Sequence, residues 1–414
     1  MEADRTILHC DANNFYASVE CAKNPALKGY PIAVCGDPEK RHGIILAKST
    51  EAKKFGIITG EAIWQAKAKC KDLILVPPDY TAYVWYSNAL FALYASYTDR
   101  VESFGLDECW LDVTGSRRLF GDGKTIADAI RQKSREQLGI TVSVGVSHSK
   151  IFAKLGSDYK KPDATTEINR DNYKKIAWEL PVGELMMVGR KTVVALEKMG
   201  IRTIGELAKT NIRLLSERFG IVGEKLYDYA NGNDNEEVSQ SEYKSIPESV
   251  GNGSTAARDM MNMTEVKTLI IALCELVATR LRKYSLRANG LHLTVKDNSM
   301  SHSGKQLKTL APINSASELI HYAITLLKEL WNEKTGLPIR AITVTAINLI
   351  GDNEGYQQNM FKETADKSEL IEKSIDEIRS KYGYEVIKRG SLMLNTFVTD
   401  KIIDDMDFKP FKRN

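Results

Sequence analysis

Residues 7–20 read ILHCDANNFYASVE. The run starts as a buried strand, expected over 5–9, and Asp11 places a carboxylate where that strand ends. Asn13 and Asn14 then open a helix, expected over 14–23, that carries Phe15 and Tyr16 and stops at Asn24-Pro25. An acid at a strand end, followed at once by free helix amides and an aromatic pair, suits a metal ion and a phosphate held side by side.

A second carboxylate source lies further along. Residues 101–114 read VESFGLDECWLDVT, a hairpin or kinked strand pair carrying Asp107 and Glu108. Adjacent residues on a straight strand face opposite ways, so the two acids share a site only if the chain bends, and Gly105 permits that. Asp11, Asp107 and Glu108 converging from two strands make a hard-oxygen site suited to Mg²⁺. Two such ions, about 4 Å apart, activate an attacking oxygen and stabilise a leaving phosphate. Lys53 and Lys54, Lys160 and Lys161, and the amides around Asn14 and Phe15 are the candidate partners of a triphosphate, and Tyr16 lies one turn beyond Asp11, where a bound sugar would rest.

The bulk composition limits the rest. With 414 residues the chain exceeds one core, and its 43% hydrophobic content suits large globular domains. No apolar run approaches the ~18 residues of a membrane span, and the polar start lacks a leader pattern. Six scattered cysteines without a CxxC indicate reduced thiols, a cytoplasmic setting and no zinc site. A net charge of +3 leaves any basic surface local.

Outward from the opening stretch, strands are expected at 31–35, 43–47 and 73–76, with a basic helix over 49–55 and an amphipathic one over 60–69. An aromatic-rich helix over 80–98, the hairpin, a helix over 125–138, a β-branched strand over 140–146 and a helix over 149–160 complete an α+β sandwich. Residues 171–231 are all-helical, with a capping box at Thr203 and Glu206 and glycine-containing hairpins able to offer amides to phosphates. The acidic stretch 232–242 has a linker's composition. A βαββαβ pattern follows over 250–349, with basic residues clustered at Arg280, Arg282, Lys283 and Arg287. The tail carries Gln357-Gln358-Asn359-Met360-Phe361, then a helix over 367–381 whose apolar stripe is Ile371, Ile375, Ile378 and Tyr382. That stripe suits packing on the body or a partner.

The opening stretch, the FGLDECWLD segment and VGVSHSKIFAKLGSDYKKP at 144–162 together resemble the Y-family DNA polymerases, in the DNA polymerase IV (DinB) branch. The resemblance implies a multidomain α+β right hand: a palm from 1–12 and 80–168, small fingers from 13–79, a helix-hairpin-helix thumb from 169–231, a linker over 232–245, a βαββαβ little finger over 246–350 and a tail over 351–414. It implies error-prone, template-directed nucleotidyl transfer from a dNTP to a primer 3′-OH, with two Mg²⁺ ions and no proofreading. Asp11, Asp107 and Glu108 would be catalytic and metal-binding, joined by the Ala12 carbonyl. Tyr16 matches the steric gate against a ribose 2′-OH. Lys161 matches a triphosphate contact, in company with Asn14, Phe15, Thr50 and Lys53. Gly189, Arg190, Gly220 and Gly223 would meet duplex backbone.

The chain departs from the family pattern in places. Thr50 and Lys53 replace a Tyr and an Arg, Asn13 replaces a second acid, Gly105-Leu106 replaces Ser-Ile, and Met187 takes a glycine place. Gln357, Met360 and Phe361 resemble a sliding-clamp-binding pentapeptide. The implied partners are primer–template DNA, dNTP and a clamp, with no membrane and a monomeric state. Two other readings stay open: a catalytically silent damage-binding relative, and a palm-domain nucleotidyl cyclase.

Overall fold

The computed structural model describes residues 5–36, 43–241, 247–352 and 365–393. They form two compact units that divide near Lys244–Ser245. The first is organised by β1 (Ile7–Ala12), every residue of which is buried. This strand lies in the middle of a sheet, with hydrogen-bonded neighbours on both sides, so its sequence is nearly continuously apolar instead of alternating. It runs to Ala12, three residues past the expected end.

After β1 comes α1 (Phe15–Lys23). A three-stranded sheet follows, in the order β3-β2-β4, from β2 (Ile32–Cys35), β3 (Ile45–Lys48) and β4 (Ile74–Val76), with α2 (Thr50–Lys54) and α3 (Ile63–Lys69) inserted. The aromatic helix α4 (Tyr80–Ala95) leads back to the main sheet. That sheet is completed by β5 (Val101–Ser103), β6 (Glu108–Asp112), β7 (Val142–Ser147) and β8 (Thr165–Ile168), in the order β5-β6-β1-β7-β8. Between these strands lie α5 (Arg117–Phe120), α6 (Gly123–Lys133) and α7 (Lys150–Tyr159). β1 is antiparallel to β6 and β7, and β8 runs parallel to β7. β8 was not foreseen: four residues at a sheet edge, three of them polar, carry too short a pattern. The helix expected over 125–138 is α6 followed by a wider π-type turn, Ser134–Leu138.

The contact between α7 and β7 is made backbone to backbone. A Cβ on Gly145 would stand 1.9 Å from the Ala153 carbonyl oxygen, and one on Gly156 would stand 3.1 Å from the Gly145 Cα. Both positions therefore need glycine, and the helix lies directly on the sheet.

The helical region comprises α8 (Tyr173–Ile176), α9 (Arg190–Lys198), α10 (Ile204–Lys209), α11 (Ile212–Phe219) and α12 (Ile221–Ala230). The capping box is present: Glu206 N donates to Thr203 Oγ1 at 3.1 Å, and Thr203 N donates to Glu206 Oε2 at 3.0 Å.

The acidic stretch beyond α12 is not a free linker over its described residues. Asp234 Oδ2 accepts the first amide of α7, from Lys150, at 2.9 Å. The buried Lys150 ammonium reaches Glu102 at 2.9 Å and Glu236 at 3.2 Å, and lies over the Trp110 ring. Val238 is buried beside Ile7, Trp110 and Ala153, and Ser239 N donates to Glu102 at 2.9 Å. The acids that gave this strap a solvated look serve as a helix cap and as counter-ions to a buried cation.

The second unit is an antiparallel sheet in the order β11-β10-β12-β9. Its strands are β9 (Ser249–Met260), β10 (Leu286–Asp297), β11 (His302–Ile313) and β12 (Ile339–Gly351), with α13 (Met263–Lys283) and α14 (Ala316–Leu330) packed into the sheet's core. The sheet begins one residue before the expected 250–349 and ends two residues after it, because the polar, alternating strand ends carry weak apolar signal. The helix α15 (Ala365–Tyr382) docks through its charged face. Arg282 pairs with Glu372 and, at 2.6 Å, with Asp376. Glu372 also accepts the Ala316 amide at the start of α14 at 3.0 Å. The buried Glu275 takes Arg379 at 2.9 Å and Arg389, just before α16 (Gly390–Met393), at 2.7 Å.

Of the two uses open to the apolar stripe, packing on the body is not how α15 docks: Ile371 and Tyr382 are each 61% exposed, and a partner remains the other use. Within the basic cluster, Arg282 and Arg287 are taken up by acids of the same unit, Arg287 by Asp352. Gln357, Met360 and Phe361 lie outside the described residues.

Candidate active site

Asp11 and Glu108 are direct cross-strand partners in the β1–β6 register, so their side chains emerge on one face. Asp107 stands one residue before β6, and its carbonyl accepts the Ala12 amide at 2.9 Å. The bend that Gly105 was expected to permit is there, with φ at 102°. Crowding has an electrostatic cost. Burial, then the Glu108 and Asp11 charges, raise the Asp107 carboxyl to about 7. Burial and Glu108 also raise Asp11, against the pull of Lys154 and Lys161. Burial would raise Glu108 as well, but His9 and Lys154 outweigh it and hold that group at about 2.

The expected convergence of three acids on one point is modified. Among the described residues no three Asp, Glu, His or Cys side chains form a ready-made metal cage. Two lysine ammoniums lie among the acids instead. Lys154 Nζ is 2.8 Å from Glu108 Oε2, 3.3 Å from Asp11 Oδ2 and 3.2 Å from Asp158 Oδ2. Lys161 Nζ is 2.6 Å from Asp11 Oδ2 and 2.7 Å from Asp158 Oδ1. Burial opposes the Lys154 charge, yet Glu108, Asp11 and Asp158 raise its pKa overall. The donor set fits a hard divalent cation, since a cation already sits between carboxylate oxygens of Asp11 and Glu108.

Beneath Glu108 lies His9, fully buried. The single hydroxyl proton of Ser157 goes to the Lys154 carbonyl at 2.8 Å, so His9 Nδ1 donates to Ser157 Oγ, also at 2.8 Å. The other ring nitrogen faces Glu108 Oε2 at 3.2 Å.

His9, Lys154, Ser157 and Asp158 were missed in the sequence. Lys154 and Asp158 stand one turn apart on α7, with Lys161 just past its end, and that spacing of four and three was the available signal.

Asn13 ties the site together. Its Nδ2 donates to Ser143 Oγ at 2.8 Å, and its Oδ1 accepts from Thr141 Oγ1 at 3.0 Å and from the Asp163 amide at 2.8 Å. A side chain that must both donate and accept explains an amide here, since an ionised acid only accepts. Asn14, left-handed at φ 49°, donates to Thr50 Oγ1 at 3.0 Å and so joins α1 to α2. These residues open onto a cleft of about 390 Å³ lined by Asn13, Asn14, Thr50, Lys53, Lys54 and Lys161. Of the aromatic pair, the Phe15 side chain is core, 4% exposed, which leaves its backbone as the only part able to meet a ligand. Tyr16 is half-buried and stacks on Tyr83, with centroids 4.1 Å apart and planes 9° apart.

In the helical region the expected phosphate contacts change. The Gly220 amide donates to Ser216 O at 2.8 Å and the Gly223 amide to Gly220 O at 2.9 Å, so neither is open to a phosphate. Gly223 is a packing residue, where a Cβ would meet the Leu215 carbonyl at 2.1 Å. Gly189 is the N-cap of α9 and Arg190 its first residue, exposed to solvent. Met187 is left-handed at φ 69°, which accounts for a glycine preference at that place.

Comparison with known proteins decides the family. The pattern of the impB/mucB/samB family matches residues 10–158, and that of the impB/mucB/samB family C-terminal domain matches 247–360. The pattern of the DNA polymerase-iota thumb domain matches 184–234. The chain is 42% identical to DNA polymerase IV of Acetivibrio thermocellus over 94% of its own length and 98% of the relative's. The chain belongs to the Y-family DNA polymerases, in the DNA polymerase IV branch. DNA polymerase IV of Clostridium acetobutylicum is 33% identical, with 94% and 98% covered. A solved Y-family DNA polymerase chimera superposes with a TM-score of 0.76 at 26% identity, covering 83% of this chain and 99% of that one. Among the described residues no helix is long and apolar enough to cross a membrane.

Proposed function

We propose that the carboxylate pocket performs template-directed nucleotidyl transfer from a dNTP to a primer 3′-OH, the activity of an error-prone translesion DNA polymerase. The observation that carries this reading is the cation-holding pair of buried Asp11 and half-buried Glu108, with Asp107 beside it, next to a lysine-lined cleft. Asp11, Asp107, Glu108 and the Ala12 carbonyl would hold two Mg²⁺ ions, which when bound supply charge stabilisation for the attacking and leaving oxygens. Asn14, Thr50, Lys53 and Lys161 receive the triphosphate in the cleft. Lys161 has donors to spare, since a lysine ammonium carries three. Lys53 binds as a point charge and not as a bidentate fork. Arg190 and the first two amides of α12, those of Ile221 and Val222, contact duplex backbone. The substrate is primer–template DNA, and one chain suffices for the site. Primer extension on a primed template tests the whole reading. No product from a folded, DNA-binding protein would instead favour the catalytically silent relative.

Tyr16, braced by Tyr83, is the gate against ribose. Removing the ring opens space where a 2′-OH would stand. Tyr16→Ala is expected to raise the ratio of ribonucleotide to deoxynucleotide incorporation by roughly 10–200-fold, the scale of pocket-shape discrimination. The ratio of the two kcat/KM values checks it, and an unchanged ratio removes Tyr16 from this role.

The segment Gln357, Met360 and Phe361 is read as the contact to a sliding clamp. A Met360→Ala, Phe361→Ala double variant is expected to lose clamp in a pull-down while keeping clamp-free extension. Pull-down at wild-type strength would discard the assignment.

A further inference from the structure

We infer that Lys154 is a built-in placeholder cation: it keeps the metal site assembled when no divalent ion is bound, and it must give way when one arrives. This rests on the reading of Asp11, Asp107 and Glu108 as the metal site. Lys154 Nζ lies within 3.3 Å of an oxygen of Asp11 and 2.8 Å of one of Glu108, the two acids that face each other across the strands. The side chain is 18% exposed and enters from α7, whose position is fixed by the Gly145–Gly156 backbone contact. Asp158 binds the same ammonium at 3.2 Å from outside the acid pair, and offers it a resting partner once displaced.

Charge counting supports exchange. Asp11, Glu108 and Asp158 carry three formal negative charges against the two positive ones of Lys154 and Lys161, and Asp107 adds a fourth when ionised. The surplus still attracts a divalent ion, but each ammonium lowers the affinity. A unit charge about 4 Å away is worth roughly fivefold in an equilibrium constant even at water's dielectric, and a divalent ion feels it twice over. In the DNA-free protein the site therefore resists metal. Phosphate oxygens of a bound nucleotide tip the balance by adding ligands and by drawing Lys161 away from Asp11. Metal entry is in this way coupled to substrate.

The test is Mn²⁺ binding to the DNA-free protein, followed by calorimetry, with the metal-free melting temperature read alongside. Lys154→Met keeps the aliphatic stem and removes the charge. It should tighten Mn²⁺ binding at least about fivefold and lower the metal-free melting temperature, with Mn²⁺ restoring it. Lys154→Gln should act in the same direction, and Lys154→Arg should stay near wild type. Asp11→Asn is the control for the site itself and should weaken Mn²⁺ binding. If Asp11→Asn weakens binding while Lys154→Met and Lys154→Gln leave it unchanged or weaker, the placeholder role is wrong and the metal site stands. If Asp11→Asn leaves binding unchanged, the metal-site reading fails, and the placeholder role fails with it.

Discussion

Asp107→Asn is expected to reduce primer extension by at least about a thousandfold, the upper end for loss of one preorganised charge-stabilising group, and to leave duplex binding intact. The substitution keeps the shape of the side chain and removes only its charge. That charge is the most strained in the pocket: burial, Glu108 and Asp11 together lift the Asp107 carboxyl to about 7. A position where negative charge is so crowded relaxes by taking up a proton or by meeting a metal cation. The amide relieves the crowding without one, so the metal-free fold should be as stable as wild type or more so. Single-turnover extension with Mg²⁺, a gel-shift assay and a melting curve separate these effects. Extension within tenfold of wild type would exclude Asp107 from the site.

Gly145→Ala is expected to be the most damaging glycine-to-alanine change among the described residues. Its Cβ would stand 1.9 Å from the Ala153 carbonyl oxygen and 2.5 Å from the Ser157 amide nitrogen, both backbone atoms of α7. Side chains can rotate away from an intruder, but this helix must lift off the sheet as a body. Overpacking a core usually costs about 1–3 kcal/mol, with soft neighbours absorbing part of it; here the cost should exceed that range. Lifting α7 also moves Lys154, Ser157 and Lys161 away from Asp11 and Glu108. Melting temperature and extension should therefore fall together. A soluble variant with wild-type melting would contradict the backbone contact.

The readable parts of the sequence were those where local chemistry and fold agree. Asp11 and Asp107-Glu108 stood out together, because one acid at a strand end is ordinarily solvated but three in this order of elements point to a shared site. The capping box at Thr203 and Glu206 was legible too. His9 was not, because a residue on a strand buried on both faces looks like any other strand residue. Lys154 and Asp158 hid in a helix whose amphipathic pattern accounts for them as surface charges. β8 was too short to show a period. The tail misled in the opposite sense: an apolar stripe ordinarily marks the buried face, but α15 turns Glu372, Asp376 and Arg379 inward to partners that lie about a hundred residues earlier in the chain. Gly223 was recognised as important for a wrong reason, since only the neighbouring helix shows that its missing side chain, and not its amide, is what matters.

The acidic strap has a consequence for anyone dividing the protein into parts. Composition changes at residue 232, which looks like the natural place to cut. A fragment ending there would lose the Asp234 carboxylate from the start of α7 and the Glu236 carboxylate from Lys150. It would also uncover Trp110 and Ile7, the residues on which Val238 rests. The helix that loses the Asp234 acceptor, and keeps only the Ser149 side chain as its cap, is the one that carries Lys154. The contacts with this unit extend to Ser241, whose amide still holds the Asp99 carbonyl at 2.9 Å. Ten residues that read as spacer, 232–241, thus belong to the catalytic half.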